Sequence, residues 1–250
     1  MRPIGGHHYR RGLLVAVVAA VMIVMAAPSA RAGAGYLEIV NRQVFAFNQA
    51  IYAVVLDPLS IAYNEHVPRP LRRGVSNFFS NIREPFTAIS SGLQGKFYNA
   101  GDATARFAIN STVGIVGFFD VATAWRIVSR PEDFGQVLCH YDLPEGPFLV
   151  LPFFGPMTSR DAVGMAGTVG VFTVAIGGVT APYLAADGSV EYFDSDGTAR
   201  PMTVASGDPY ETAKNAYLAR RDAACRDDAD PEDSLQFRAE SAPDRVASIH

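Results

Sequence analysis

Few residues in this 250-residue chain could make or break bonds. Past residue 32 the histidines are His66, His140 and the terminal His250, too few for a convincing triad or metal site. Cys139 and His140 are a possible nucleophile and base, but neighbours in sequence point in different directions from a helix or strand. No H-E-x-x-H, G-x-S-x-G, C-x-x-C or phosphate-loop pattern occurs. Asp187, Asp194 and Asp196 with Gly197 suggest a calcium loop, yet the bidentate glutamate twelve positions along is missing, which favours a turn. Asp120, Asp133 and Asp161 are the remaining candidates for an acid pair, as a secreted hydrolase acting on lipid or cell wall would need. Helix capping and buried hydrogen bonding account for them more simply. No catalytic residue, cofactor or metal is therefore expected.

The elements that would position any site begin after an export signal. Arg2, Arg10 and Arg11 precede an uncharged run from Leu13 to Ala27, and Ala30-Arg31-Ala32 ends it in the small-x-small form of a cleavage site. Fifteen apolar residues are short for a bilayer span. Removal of 1–32 deletes four of 21 basic residues and none of the 25 acidic ones, leaving 17 − 25 = −8, which argues against a nucleic-acid partner. In 36–56, Leu37, Val40, Val44, Phe47, Ile51 and Val55 step by three or four, predicting a helix with one broad apolar face that stops at Asp57-Pro58. A short helix is expected over Leu71 to Arg83, another over Pro85 to Phe97 with Leu93 inward, and a longer stretch from Thr104 to Trp125 broken at Gly114 and Gly117. Period-two alternation is nowhere sustained, so the fold class is mainly α in a single domain.

From 162 to 186 there are 25 residues without a charge. Its glycines at 164, 167 and 170 suit close helix approach in lipid, and Gly177-Gly178 with Pro182 suggests a break, so the segment reads as one that lies in or against lipid and bends back. Val171, Phe172 and Val174 are its candidate embedded residues. Asp187-Gly188 reads as a loop, and Asp208-Pro209 caps a last helix to about Ala224. The resulting division is 1–32 signal peptide, 33–221 helical domain, 222–250 acidic tail expected to be disordered. The two cysteines admit two readings: a Cys139 to Cys225 disulfide, or a small buried residue and a free thiol.

Taken in order, certain blocks resemble the MlaA/VacJ family. They are Asn41-Arg42, Phe47-Asn48, Asp57-Pro58, Val67-Pro68, Arg72 to Phe78, Glu84-Pro85, Leu93 to Lys96, Arg106-Phe107, Asn110 to Thr112, Gly117 to Ala122, Glu132 to Gln136, Gly146 to Phe148, Leu151 to Pro156, Arg160-Asp161, Asp194 to Gly197 and Asp208 to Tyr210. The resemblance implies a helical ring in the inner leaflet of the outer membrane. Such proteins move mislocalised phospholipid from the outer leaflet to a soluble periplasmic carrier of the Mla system, bound to a porin trimer, with no enzymatic step. In that setting Arg69, Arg72, Arg73 and Arg83 could take phosphate head groups, although a solvated basic face is the commoner meaning of such a cluster. Phe45, Phe47 and Asn48 mix apolar and polar groups as a lipid path or gate requires. Family members typically carry a lipobox cysteine after the signal, whereas Ala32-Gly33 stands there in this chain.

Intact-mass spectrometry of the exported protein should accordingly give the unmodified mass of a chain beginning at Gly33. An acyl chain on its N-terminus would contradict this.

Overall fold

The computed structural model describes residues 32–194 and 207–226. The expected signal segment up to Arg31, the expected loop after Asp194, and the tail past Arg226 lie outside the described residues. Helix α1 covers Ala32–Ile51, and instead of ending at Asp57-Pro58 it runs through a π-helical turn, Tyr52–Leu56, into α2, Asp57–His66. The Asp57 N–H bonds the Tyr52 carbonyl five residues back, and Pro58 then falls in the first turn of α2, where its missing N–H costs least. A π turn widens the helix where the proline ring would otherwise collide with the preceding turn.

Helix α3, Arg69–Leu93, is one helix where two were expected, with Pro85 in its interior. Interior proline costs about 3 kcal/mol, so packing must offset it. That packing is with α4, Phe97–Thr112, which returns antiparallel along α3 after the Gly95 turn. The facing residues are polar: Asn81, Glu84, Thr87 and Ser91 on α3, Asn99, Arg106 and Asn110 on α4, with Ala103 the small apolar one. Leu93, expected inward, is exposed. The stretch from Thr104 to Trp125, expected to break at Gly114 and Gly117, is helical to Thr112 and then gives way to a tight turn, after which α5 spans only Val121–Ala124.

Helix α6 is Phe134–His140. A single antiparallel hairpin follows, β1 Phe148–Leu151 and β2 Gly155–Thr158, with Phe148 opposite Thr158 and Leu151 opposite Gly155. Helix α7, Ser159–Ile176, is separated from α8, Thr180–Asp194, by a break at Gly177, whose φ of 65° and ψ of −130° leave the helical region. The break folds the chain back. Phe172 and Tyr183 are eleven residues apart, about 16 Å along a straight helix, yet their rings stack at 4.8 Å. Asp187-Gly188, expected in a loop, is inside α8. Helix α9, Pro209–Arg226, is capped as expected, the Asp208 carboxylate accepting from the Tyr210 N–H at 3.0 Å. Among the described residues, buried apolar side chains gather in two small clusters around the hairpin and α9, one holding Phe45, Val150, Tyr210 and Ala213, the other Leu149, Met157 and Tyr217.

Cys139 and Cys225 form a disulfide with Cα atoms 6.0 Å apart, joining α6 to α9 across 86 residues. Closing a loop of that length in the unfolded chain is worth about 2–4 kcal/mol. Cys225→Ser should lower the thermal midpoint, and dithiothreitol should then destabilise the wild type but not the variant in calorimetry.

Candidate functional site

Three polar constructions hold the described residues together, and the site candidates are distributed over them. The first is the α3–α4 seam. Arg106 is 4% exposed and donates to Glu84 at 2.5 Å, to Asp120 at 3.2 Å, to the Thr123 hydroxyl at 3.0 Å and to the Ile127 carbonyl at 2.6 Å. Asp120 also caps α5 through the Thr123 N–H, and accepts from Asn110. Burial by itself works against the Asp120 carboxylate, but the Thr123 hydroxyl and N–H, Asn110 and the Arg106 charge together hold its pKa below the usual range. Its stabilising contribution is thus complete above the ordinary carboxylate range and fades as pH falls through the lowered folded value.

A second construction surrounds Arg221 on α9, which donates to Asp161 at 2.5 Å and to Asp133 at 2.7 Å. Asp161 accepts further bonds from Tyr217 at 2.5 Å and Thr158 at 2.7 Å. Burial and the bond donated to Asp161 push the Tyr217 hydroxyl above the ordinary phenol range. Asp133 caps α6 through the Gln136 N–H. A Cβ on Gly164 would collide with the Gly135 backbone, so α7 and α6 meet main chain to main chain at this point. Of the glycines in the charge-free segment, Gly164 has this role, while Gly167 and Gly170 face open space. All three carboxylates weighed as an acid pair are engaged in capping and ion pairing. Asp120 and Asp161 belong to different clusters.

The third construction is made by two asparagines of α1, seven residues apart and so on one face. Asn41 donates to the Phe148 carbonyl and accepts the Val150 N–H, each at 2.9 Å. Asn48 does the same to Leu151 and Phe153, also at 2.9 Å. Each side-chain amide imitates a strand residue and closes one edge of the hairpin. Phe45 lies buried between them against Tyr210, ring centroids 5.8 Å apart, and Phe47 points outward with its ring edge on Phe153 at the hairpin tip. Phe45, Phe47 and Asn48 therefore do meet at one place, where α1 holds the hairpin. The most buried face of α1 is Asn41, Phe45 and Asn48, and the expected apolar face is divided, Leu37 and Val44 packing against the core clusters while Val40, Phe47 and Val55 are exposed.

The four arginines separate. Arg72 bonds Asn64, and Arg83 pairs with Glu191 at 3.1 Å and lies 3.8 Å from Asp187. Arg69 and Arg73 are exposed and make no ion pair among the described residues. Of the embedded candidates, Val174 is 90% exposed and Val171 is exposed, but Phe172 is 4% exposed, stacked between Phe86 of α3 and Tyr183 of α8. Phe172 thus holds the α7–α8 arms to α3 and does not face outward.

Sequence reasoning missed Glu84, Arg106 and Arg221 as the organising groups. Polar residues at three- and four-residue steps in Asn81, Glu84, Thr87, Ser91, and at seven- and four-residue steps in Asn99, Arg106, Asn110, carried the signal. Among the described residues, sixteen buried side chains are polar or charged and twelve are apolar. Large apolar side chains are correspondingly abundant outside, and the long helical runs Gly35–His66 and Ser159–Asp194 are only 17% and 11% buried over their most apolar stretches. Hydroxyls on these helices bond back to helix carbonyls, as Thr173 to Val169 at 2.7 Å and Thr168 to Gly164 at 3.2 Å.

The profile of the MlaA lipoprotein family matches residues 36–224. An uncharacterized protein of Rickettsia felis is 40% identical over 121 residues, 48% of each chain, so the match spans about half the length of that relative. The intermembrane phospholipid transport system lipoprotein MlaA of Escherichia coli is 34% identical over 197 residues, 74% of this chain and 76% of that one. A solved structure from work on the structural basis for maintenance of bacterial outer membrane lipid asymmetry aligns with a TM-score of 0.62 at 33% identity, covering 76% of this chain and 98% of that chain.

Arg106→Met should leave Glu84 buried without its partner and cost about 3–5 kcal/mol. Changing Glu84 to Met as well should recover most of this, read from urea midpoints of the detergent-solubilised proteins.

Proposed function

The chain belongs to the MlaA lipoprotein family, and we propose from this that it transports phospholipid between membranes, maintaining outer-membrane lipid asymmetry. It removes phospholipid from the outer leaflet and passes it to a soluble periplasmic carrier, sitting in the inner leaflet beside a porin trimer. The observation that supports this best is the inverted distribution of polarity. Helices with polar residues facing one another and apolar residues facing out are stable where the surrounding medium is hydrocarbon. In water the same exterior would be an aggregation hazard.

The folded-back α7 and α8 arms have the length for one leaflet each, with Val171 and Val174 toward lipid. Phe47 and Asn48, at the junction of α1 and the hairpin, remain the gate candidates, since a shift of α1 must move the hairpin with it. Catalysis is not needed by this reading, and the engagement of Asp120, Asp133 and Asp161 leaves the hydrolase alternative without a free acid pair. Its exposed apolar surface supplies membrane contact.

Two measurements test the proposal. Cells lacking the gene should expose more phospholipid on their surface than wild-type cells, and the purified protein should raise transfer from labelled vesicles to a periplasmic acceptor. Val174→Asp, which disturbs no buried contact, should cost at least about 2.5–3.5 kcal/mol on membrane insertion. The variant should move to the soluble fraction and fail to restore surface lipid; unchanged fractionation would contradict embedding of the arms.

A further inference from the structure

The turn between α4 and α5 is built against the usual conformational preferences. Ile115 and Val116 have φ of 53° and 57°, and Gly117 follows at 86°. Two consecutive β-branched residues in the left-handed region are among the least suited to it. Neither is there to fill a core: they are 64% and 62% exposed, and Val113 and Phe119 beside them are exposed too. Asn-Gly would make such a turn without strain.

The turn is nonetheless held firmly. Val116 N–H bonds the Ser111 carbonyl at 3.0 Å, Gly117 N–H the Asn110 carbonyl at 2.7 Å and Phe119 N–H the Gly114 carbonyl at 2.8 Å. Asn77 of α3 donates to the Phe118 carbonyl at 3.2 Å. The Phe118 ring occupies the space a Cβ on Gly74 would need, and Gly117 lies against Asn81. A rigid apolar knob results, fixed beside the first turns of α3.

That neighbourhood decides what the knob meets. Arg73 adjoins Gly74, and Arg69 lies one turn earlier. The first turn of α3 contains no acidic residue, so these cations sit unfavourably against the helix dipole. From Phe107 to Phe119 there is no charged residue, and the Thr112 hydroxyl is turned back onto the Ala108 carbonyl at 2.7 Å. Exposed apolar side chains next to cations, with no acidic residue in either stretch, suit an anionic lipid surface. We infer that Val113, Ile115, Val116 and Phe119 enter the acyl layer of a phospholipid membrane while Arg69 and Arg73 take its phosphates. Apolar insertion flanked by cations is a general anchoring arrangement for interfacial proteins. The inference rests on the membrane reading above and adds a contact separate from the α7–α8 arms.

The test uses the full exported chain with its one tryptophan replaced, Trp125→Phe, and a single new tryptophan at Phe119→Trp or at Val174→Trp. Each is mixed with phosphatidylethanolamine–phosphatidylglycerol vesicles carrying an acyl-chain spin label. Both probes should be quenched by the label and shielded from iodide. Quenching at 174 but iodide access at 119 would overturn this inference and leave the arms embedded; iodide access at both would overturn the membrane reading as well. A second pair of variants keeps fold and contact apart. Ile115→Asn with Val116→Gly should raise Tm by about 2–4 °C while vesicle affinity falls at least about tenfold. Arg69→Gln with Arg73→Gln should remove the dependence of binding on the phosphatidylglycerol fraction. Unchanged affinity in the first, or unchanged dependence in the second, would overturn the assignment.

Discussion

The Glu84–Arg106 pair is the interaction on which the described fold depends. It lies at the middle of the α3–α4 seam, and Arg106 carries α5 and the chain to Ile127 with it. In an aqueous protein such a pair would be a poor bargain, because desolvating both charges offsets most of their attraction. Here desolvation is imposed from outside if hydrocarbon surrounds the helices, and the pair becomes the way to keep polar groups satisfied. The interior proline of α3 is tolerated for the same reason: Glu84 before it and Thr87 after it are both locked into the seam.

The second half of the chain repeats the principle with different residues. Arg221 draws Asp133 and Asp161 together, so that the last helix, the short α6 and the start of α7 share one charged knot, and the disulfide closes the same junction covalently. Gly135 and Gly164 are small because the knot leaves no room between α6 and α7. Asn41 and Asn48 then tie α1 to this half through the hairpin. These ties join elements far apart in sequence, which is how a mostly helical chain with little apolar core acquires a defined shape.

Much of the fold was legible in the sequence. Helical periodicity, the break at Gly177, the Asp208 cap and the scarcity of strands were each written in local residue types. What periodicity could not supply was its sign. Val40, Phe47 and Leu93 recur at helical spacing whether that face turns inward in water or outward in lipid, and only the tertiary arrangement tells the two apart. Pro58 and Pro85 misled for a related reason, since local rules end a helix at proline while a π turn or a strong seam carries it through. Of the candidate site, the sequence placed Phe45, Phe47 and Asn48 on one helix but held no sign of the hairpin they meet, and Phe172 is buried against a stacking partner on α3 of which an apolar residue in a charge-free segment gives no hint.

The asparagine ties set a timetable for assembly. Asn41 waits for Phe148, 107 residues later, and Arg42 for Asp208, 166 residues later. Closures of such range are slow, because the entropy of the intervening loop is lost before any contact rewards it. Until the hairpin arrives, the amides of Asn41 and Asn48 lack their strand partners, Phe45 lacks its cover, and an open strand edge stands beside them. A chain in that condition gathers with its own kind at modest concentrations. Self-association is therefore most favoured before the carboxy-terminal third of the chain is in place to cover the amino-terminal helix.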